Sequence, residues 1–253
     1  MKVDLPKLQP IPNILSFTPA DHQLLAGLPS ITIPPADSDQ KHLLLHAGIR
    51  QSVYMGTHFL QSLCVNHIKK TTDLPAVMMY RHMLDMGDSI STLLRLGCAA
   101  GGFIVLRSLY ESSLFLDFLL QDNVLHDDRS TCYWVGYRTK QLQDLTKFDP
   151  NTEKGQEFHK RLQSDPSLTD KKFPTKDYKK DRAFLEEFLS RDGIHIYYEK
   201  YKQSKGKRPT WYSLCSEAKD RRQLAKILHR ENEYDILYSY FSGVAHADDV
   251  FPI

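Results

Sequence analysis

The spacing of apolar residues along this chain predicts helices and little else. From about Asp37 to Lys70, residues Leu45, Ile49, Val53, Leu60, Leu63 and Ile68 recur mostly at intervals of three, four and seven, the stripe of a half-buried helix. Asp37 or Ser38 caps its start, and no proline interrupts before Pro75. A second helix runs from near Pro75, a favourable first-turn residue, to Leu96, where Gly97 is placed to stop it. A third spans roughly Ala100 to Gln121. Ile104, Val105, Leu109, Leu114, Leu116, Phe118 and Leu119 make it apolar nearly all round, which predicts a place at the centre of a bundle. A fourth, from about Asp127 to Lys147, is amphipathic and rich in Tyr, Trp and Gln.

Residues 149–182 change character: polar groups dominate, prolines fall at 150, 166 and 174, and lysines cluster in KDYKKDR. A shorter helix followed by a mobile loop, in effect a polar insertion, is expected there. Helical periodicity returns from Arg182 to about Lys202. Short helices follow from Ser213 to His229, and a last helix runs from about Glu231 to Ala247. No alternating strand pattern and no internal repeat is evident. At the other end, residues 1–36 carry seven prolines (Pro6, Pro10, Pro12, Pro19, Pro29, Pro34, Pro35), which deny continuous helix and predict an extended arm. The expected fold is therefore all-α: a helical bundle over 37–253 with a proline-rich extended N-terminal arm.

Composition narrows the class. Hydrophobic content of 41% and charged content of 25% are those of an ordinary globular chain. No run of 18 or more apolar residues exists, so no membrane span is expected. The start, MKVDLPKLQPIPN, lacks the apolar stretch of a secretory leader. Cys64, Cys98, Cys132 and Cys215 are scattered without a CxxC pair, which argues against a zinc site or a disulfide framework and for a reduced, cytoplasmic protein. The formal net charge of +2 decides nothing about partners.

Two residues on one helix and a third far along the chain suit chemistry on a phosphodiester. Arg107 and Glu111 stand at i and i+4 on one face of the third helix, and His246 follows near the end of the last. The arginine neutralises charge, the histidine moves protons from an unperturbed pKa of about 6.5, and the carboxylate orients one or both. The simpler alternative is a buried ion pair that pins the helix, since a lone charge on so apolar a helix demands a partner. RNA is the natural substrate of the functional reading, because its 2′-hydroxyl is an internal nucleophile and neither metal nor other cofactor is needed. Ser242, one turn before His246, hydrogen-bonds the imidazole or packs at a tight crossing beside Gly243. A metal site of Glu111, His246 and Asp248 is conceivable, but no HxxxH or ExxH pattern reinforces it. His42 and His46, with no carboxylate at ligand spacing, are expected on a partly exposed helix face. Arg81, His82 and Asp85 read as an exposed charged edge.

A separate region carries cations. Lys200, Lys202, Lys205, Lys207 and Arg208 contain no acid between them, and Tyr197, Tyr198, Tyr201 and Trp211 interleave or flank the run. Cations for phosphates beside rings for bases are the requirement of single-stranded nucleic-acid binding; a solvated loop is the plainer alternative. Trp211 either anchors its turn by burying its ring or stacks on a base. The lysines from 171 to 180 alternate with acids and carry less weight.

Three stretches together resemble a bacterial family, the domain of unknown function DUF5677: residues 76–120, with an R-S-x-x-E core at Arg107; KRPTWYSL, residues 207–214; and EYDILYSYFSGVAHAD, residues 233–248, with its Y-x-x-x-S-x-x-x-H pattern. The resemblance covers roughly residues 40–250 and implies fold and site placement. A more remote similarity is to the HEPN superfamily of helical bundles, many of them metal-independent ribonucleases. Their usual Arg, four to six residues, then His is not met, because Ser-Tyr-Phe stands at 239–241. Bacterial anticodon nucleases of that superfamily instead use Arg-x-x-x-Glu on one helix and a His on a later one, which Arg107, Glu111 and His246 match in type and order. The similarity implies an endoribonuclease of the toxin or phage-defence kind, with an antitoxin or defence-system partner and a homodimeric state in which the cleft lies at a two-fold interface. A non-catalytic helical interaction module, its core fixed by the Arg-Glu-His network, is the competing expectation.

Overall fold

The computed structural model describes residues 38–66, 68–164, 178–204 and 209–245. The N-terminal arm, Lys205, Lys207, Arg208 and His246 lie outside them, as does most of the lysine stretch 171–180. Among the described residues every regular element is helical, and none is a strand. The helices are α1 (Ser38–Asn66), α2 (Leu74–Arg95), α3 (Ala99–Leu120), α4 (His126–Phe148), α5 (Glu153–Gln163), α6 (Tyr178–Ser190), α7 (His195–Gln203), α8 (Arg221–Ile227) and α9 (Glu231–Ala245). Short 3₁₀ turns stand at Thr71–Asp73 and Trp211–Leu214. No helix among the described residues is long and apolar enough to cross a membrane.

The described residues divide into two compact units: those of 38–122 with 225–245, and those of 123–224. In the first, α1 packs on α2, α2 on α3, and α3 on α9. Helix α2 begins with Pro75 in its first turn. It ends in a paired closure, with Gly97 N–H donating to Leu94 and Cys98 N–H to Leu93 while Gly97 takes φ +72°. The α1–α2 pair is antiparallel and close. His46 Nδ1 lies 2.7 Å from Ser91 Oγ, Arg50 pairs with Asp88, and a Cβ on Gly87 would stand 3.1 Å from Val53. The histidine pair on α1 is thus partly exposed, as expected, and His46 also ties α1 to α2. Arg81, His82 and Asp85 are all exposed.

Within the first unit α3 lies between α2 and α9, and its second half is the more deeply buried, Ile104 in the first half being 52% exposed. Leu114 and Leu119 are fully buried and Phe118 is 1% exposed, each such side chain being worth about 1.5–3 kcal/mol in transfer from water. Helix α1 differs: Leu43, Leu45, Met55, Phe59 and Val65 are exposed, and an apolar groove of about 700 Å³ runs between α1 and α2.

The second unit is built on α4, against which α5, α6, α7 and the 211–214 turn pack. Cys132, Val135, Leu189 and Leu214 form its core. One expectation changes here. The single helix expected over 182–202 is two helices, because Gly193 adopts φ +79° and the chain turns between Ser190 and His195. Residues 149–163 hold the shorter helix expected in that polar segment, α5, behind a knit corner. The Asp149 carboxylate accepts from Asn151 N–H (2.9 Å) and Arg182 (3.2 Å), and Thr152 caps α5 by accepting from Gly155 N–H. Residues 165–177, the rest of that segment, lie outside the described residues.

Candidate functional site

The first unit holds a polar seam between α3 and α9. These helices cross antiparallel, with Phe103 against Tyr240 and Phe241, Arg107 against Tyr238, and Tyr110 against Tyr234. Arg107 Nε stands 3.4 Å from Glu111 Oε1 as the i,i+4 spacing requires, with the side chains 18% and 16% exposed. Arg107 Nη2 donates to the Tyr238 hydroxyl at 2.6 Å, and its Cζ lies 4.6 Å from that ring's centroid. Tyr238 is in turn stacked on Tyr234, 4.6 Å between centroids. The guanidinium is therefore held by a carboxylate on its own helix and a phenol on the other.

One step further along the seam a second arginine is bound more heavily. Arg230, just before α9, donates to Glu233 at 2.7 and 2.6 Å, to Ser113 at 3.2 Å, and to Asp117. Its Cζ sits 5.2 Å from the Tyr110 ring centroid. The hydrogen bond from Arg230 holds the Glu233 carboxyl below its usual range. Burial first, and then Glu233, push the Tyr110 phenol up to about 12, so it is neutral at physiological pH.

Of the three residues expected to act together, Arg107 and Glu111 meet and His246 lies outside the described residues. Ser242 contributes its backbone to α9. The metal alternative of Glu111, His246 and Asp248 likewise falls on residues not described. Among the described residues no group of three His, Cys, Asp or Glu side chains is placed to hold a metal ion. Tyr238 is the participant that sequence reasoning missed. It opens the Y-x-x-x-S-x-x-x-H pattern, yet nothing in a separation of 131 residues names it as the partner of Arg107.

In the second unit the predicted RNA-binding residues part company. Trp211 anchors its turn: its ring meets Tyr133 edge-on at 5.4 Å, and it presses so closely on α4 that a Cβ on Gly136 would lie 2.6 Å from the Trp211 Cβ. Its ring also lines a hollow with Tyr133, Tyr137 and Lys140. Lys202 is paired with Glu199 at 2.5 Å, and that bond raises its pKa. Lys200 sits over the Tyr197 ring, 5.0 Å from its centroid.

The same unit joins two cysteines that lie far apart in sequence. Cys132 is fully buried and Cys215 packs against its cluster. Their mutual hydrogen bond and burial raise the Cys132 thiol, while Cys215, accepting that bond, is lowered. All four cysteines are free.

No curated protein and no solved structure matches the chain. One family model does, over residues 73–250, a span that takes in Arg107, Glu111, Trp211, Tyr238 and His246. The chain belongs to that family, DUF5677, a family of unknown function.

Proposed function

We propose that this protein is a metal-independent endoribonuclease with a HEPN-like bundle, acting in the cytoplasm as a toxin or phage-defence effector. The observation that carries the reading is Arg107. A guanidinium set into a helical seam, oriented by Glu111 and Tyr238 and still 18% exposed, is a preorganised site for a phosphate oxygen. In the reaction the RNA 2′-oxygen attacks the adjacent phosphorus and the 5′-oxygen leaves. The products are a 2′,3′-cyclic phosphate and a 5′-hydroxyl. His246 takes the proton from the 2′-hydroxyl or delivers one to the leaving oxygen, Arg107 offsets the charge gathering on phosphorus, and Glu111 fixes Arg107.

A homodimer whose cleft lies at a two-fold interface, with each copy contributing to it, is the assembly proposed. Four free cysteines fit a reducing compartment, and an antitoxin or defence-system protein is the expected partner.

The same seam supports a second reading, a non-catalytic interaction module. Arg107, Glu111 and Tyr238 satisfy one another without any substrate. Replacing His246 with Ala separates the two. The nuclease loses RNA cleavage while its unfolding midpoint holds; a structural histidine loses stability, and no cleavage is seen in either protein.

A further inference from the structure

Two hollows on the second unit adjoin one another. The first, about 350 Å³, is walled by Tyr133, Tyr137, Trp211 and Lys140. The second, about 620 Å³, is polar and holds Lys147, Lys154 and Lys202 with one acid, Asp144. Gln143, Tyr201 and Pro209 line both, so the two form one trough with a ring-lined end and a cationic end. Their sizes suit a small ligand or one unit of a polymer.

The ring end is built to offer flat apolar faces. Tyr133 and Tyr137, one turn apart on α4, lie parallel within 3° with centroids 6.4 Å apart, and Tyr137 remains 43% exposed. Trp211 closes the far wall, held against α4 by the missing side chain of Gly136. Between the two ends stands a polar gate in which Gln143 Nε2 donates to the Tyr201 hydroxyl at 3.3 Å. These groups hydrogen-bond equally well to a base edge or a sugar hydroxyl. The cationic end gathers Lys147, Lys154 and Lys202 from three helices, α4, α5 and α7. Lys202 is already bonded to Glu199, which leaves Lys147 and Lys154 as the cations with most to offer a phosphate.

We propose that this trough binds single-stranded RNA, taking a base against Tyr137 and Trp211 and the flanking phosphates along Lys147 and Lys154. Rings beside lysines in a shallow trough read a strand whose bases are free; a duplex keeps its bases stacked and presents only phosphates. The inference rests on RNA being the ligand of this protein, and it does not require cleavage. It also places Lys140, Lys147, Lys154 and Tyr137 in the binding surface beside Trp211 and Lys202.

The test uses the full chain carrying His246→Ala, with a fluorescein-labelled oligouridylate followed by anisotropy. Tyr137→Ala is expected to weaken binding about 5- to 100-fold, the loss of one stacked base. Lys147→Gln with Lys154→Gln is expected to flatten the salt dependence by about 0.7 in log–log slope for each cation lost. The proposal is overturned if Tyr137→Ala binds as the parent does, or if an abasic oligomer or a duplex binds equally tightly. The nuclease reading fails separately. Should Tyr137→Ala abolish tight binding while the wild type leaves RNA uncut, the trough stands and the nuclease falls. Should the wild type cut RNA while Tyr137→Ala binds normally, the reverse holds.

Discussion

The two units distribute polar and apolar groups in opposite ways. The first puts Arg107, Glu111 and most of Arg230 inside a helix–helix seam and leaves Leu43, Leu45, Met55 and Phe59 outside. The second buries Cys132, Val135 and Leu189 and turns its lysines outward around a ring-lined trough. Candidate chemistry in the first unit is therefore also part of what holds its helices together. Candidate binding in the second rests in part on exposed side chains, Tyr137, Lys147 and Lys154, that its core does not need. Substitution at the seam is expected to cost stability, and substitution of those exposed residues to cost affinity alone.

The largest expected effect is at the seam. Arg107→Met removes the guanidinium that Glu111 and Tyr238 hold, and breaking a buried pair costs about 3–5 kcal/mol. With 18% of the side chain exposed, about 2–3 kcal/mol is expected from urea unfolding. Adding Glu111→Leu recovers part of that loss, because the carboxylate no longer needs a cation. A cost below about 0.5 kcal/mol for Arg107→Met would place the seam with ordinary surface residues and break the comparison.

Next is Gly136→Ala in the second unit. The new methyl meets the Trp211 Cβ at 2.6 Å and its backbone Cα at 3.3 Å, so the 211–214 turn must shift. About 1–3 kcal/mol of destabilisation is expected, with a change in Trp211 fluorescence. An unchanged spectrum and midpoint would show that Trp211 is not anchored by that contact. Smaller still is Tyr137→Ala, expected to stay within about 0.5 kcal/mol of the parent in stability, since its ring is 43% exposed. A larger loss would make the trough wall structural.

The smallest effect is a pH dependence at the 149–152 corner. The Asn151 backbone N–H leads the groups that hold the Asp149 carboxyl below its ordinary value. A depressed folded-state pKa adds stability that is full above the unfolded value of about 3.9 and is lost as pH falls through the folded value. The unfolding midpoint should decline more steeply below about pH 4 in the wild type than in Asp149→Asn. Parallel curves would show that the Asp149 carboxyl adds no pH-dependent stability.

What the sequence made legible follows from range. Pro75, Gly97 and the apolar run from Ile104 to Leu119 act within a turn or two of themselves, so α2, α3 and α4 begin and end within about two residues of expectation. The break between α6 and α7 was also local, an Asp-Gly pair at 192–193 whose turn signal was outweighed by the flanking periodicity. Thr152 and Asp149 were equally readable as a cap and corner behind Pro150. Contacts between distant segments were not readable in this way. Arg107 with Tyr238, Cys132 with Cys215, and the gathering of Lys147, Lys154 and Lys202 depend on helix register across the fold, which one sequence does not encode in spacing. The Arg107–Glu111 pair was legible because both ends lie on one helix.

In the proposed reaction this scaffold cuts RNA through the 2′-hydroxyl without metal. The decisive experiment incubates the purified protein in excess chelator with an RNA oligomer and its all-2′-deoxy counterpart. Cleavage of the RNA alone is expected, with fragments ending in 2′,3′-cyclic phosphate and no cleavage by His246→Ala. An intact RNA, or equal cleavage of the deoxy strand, would overturn the nuclease proposal.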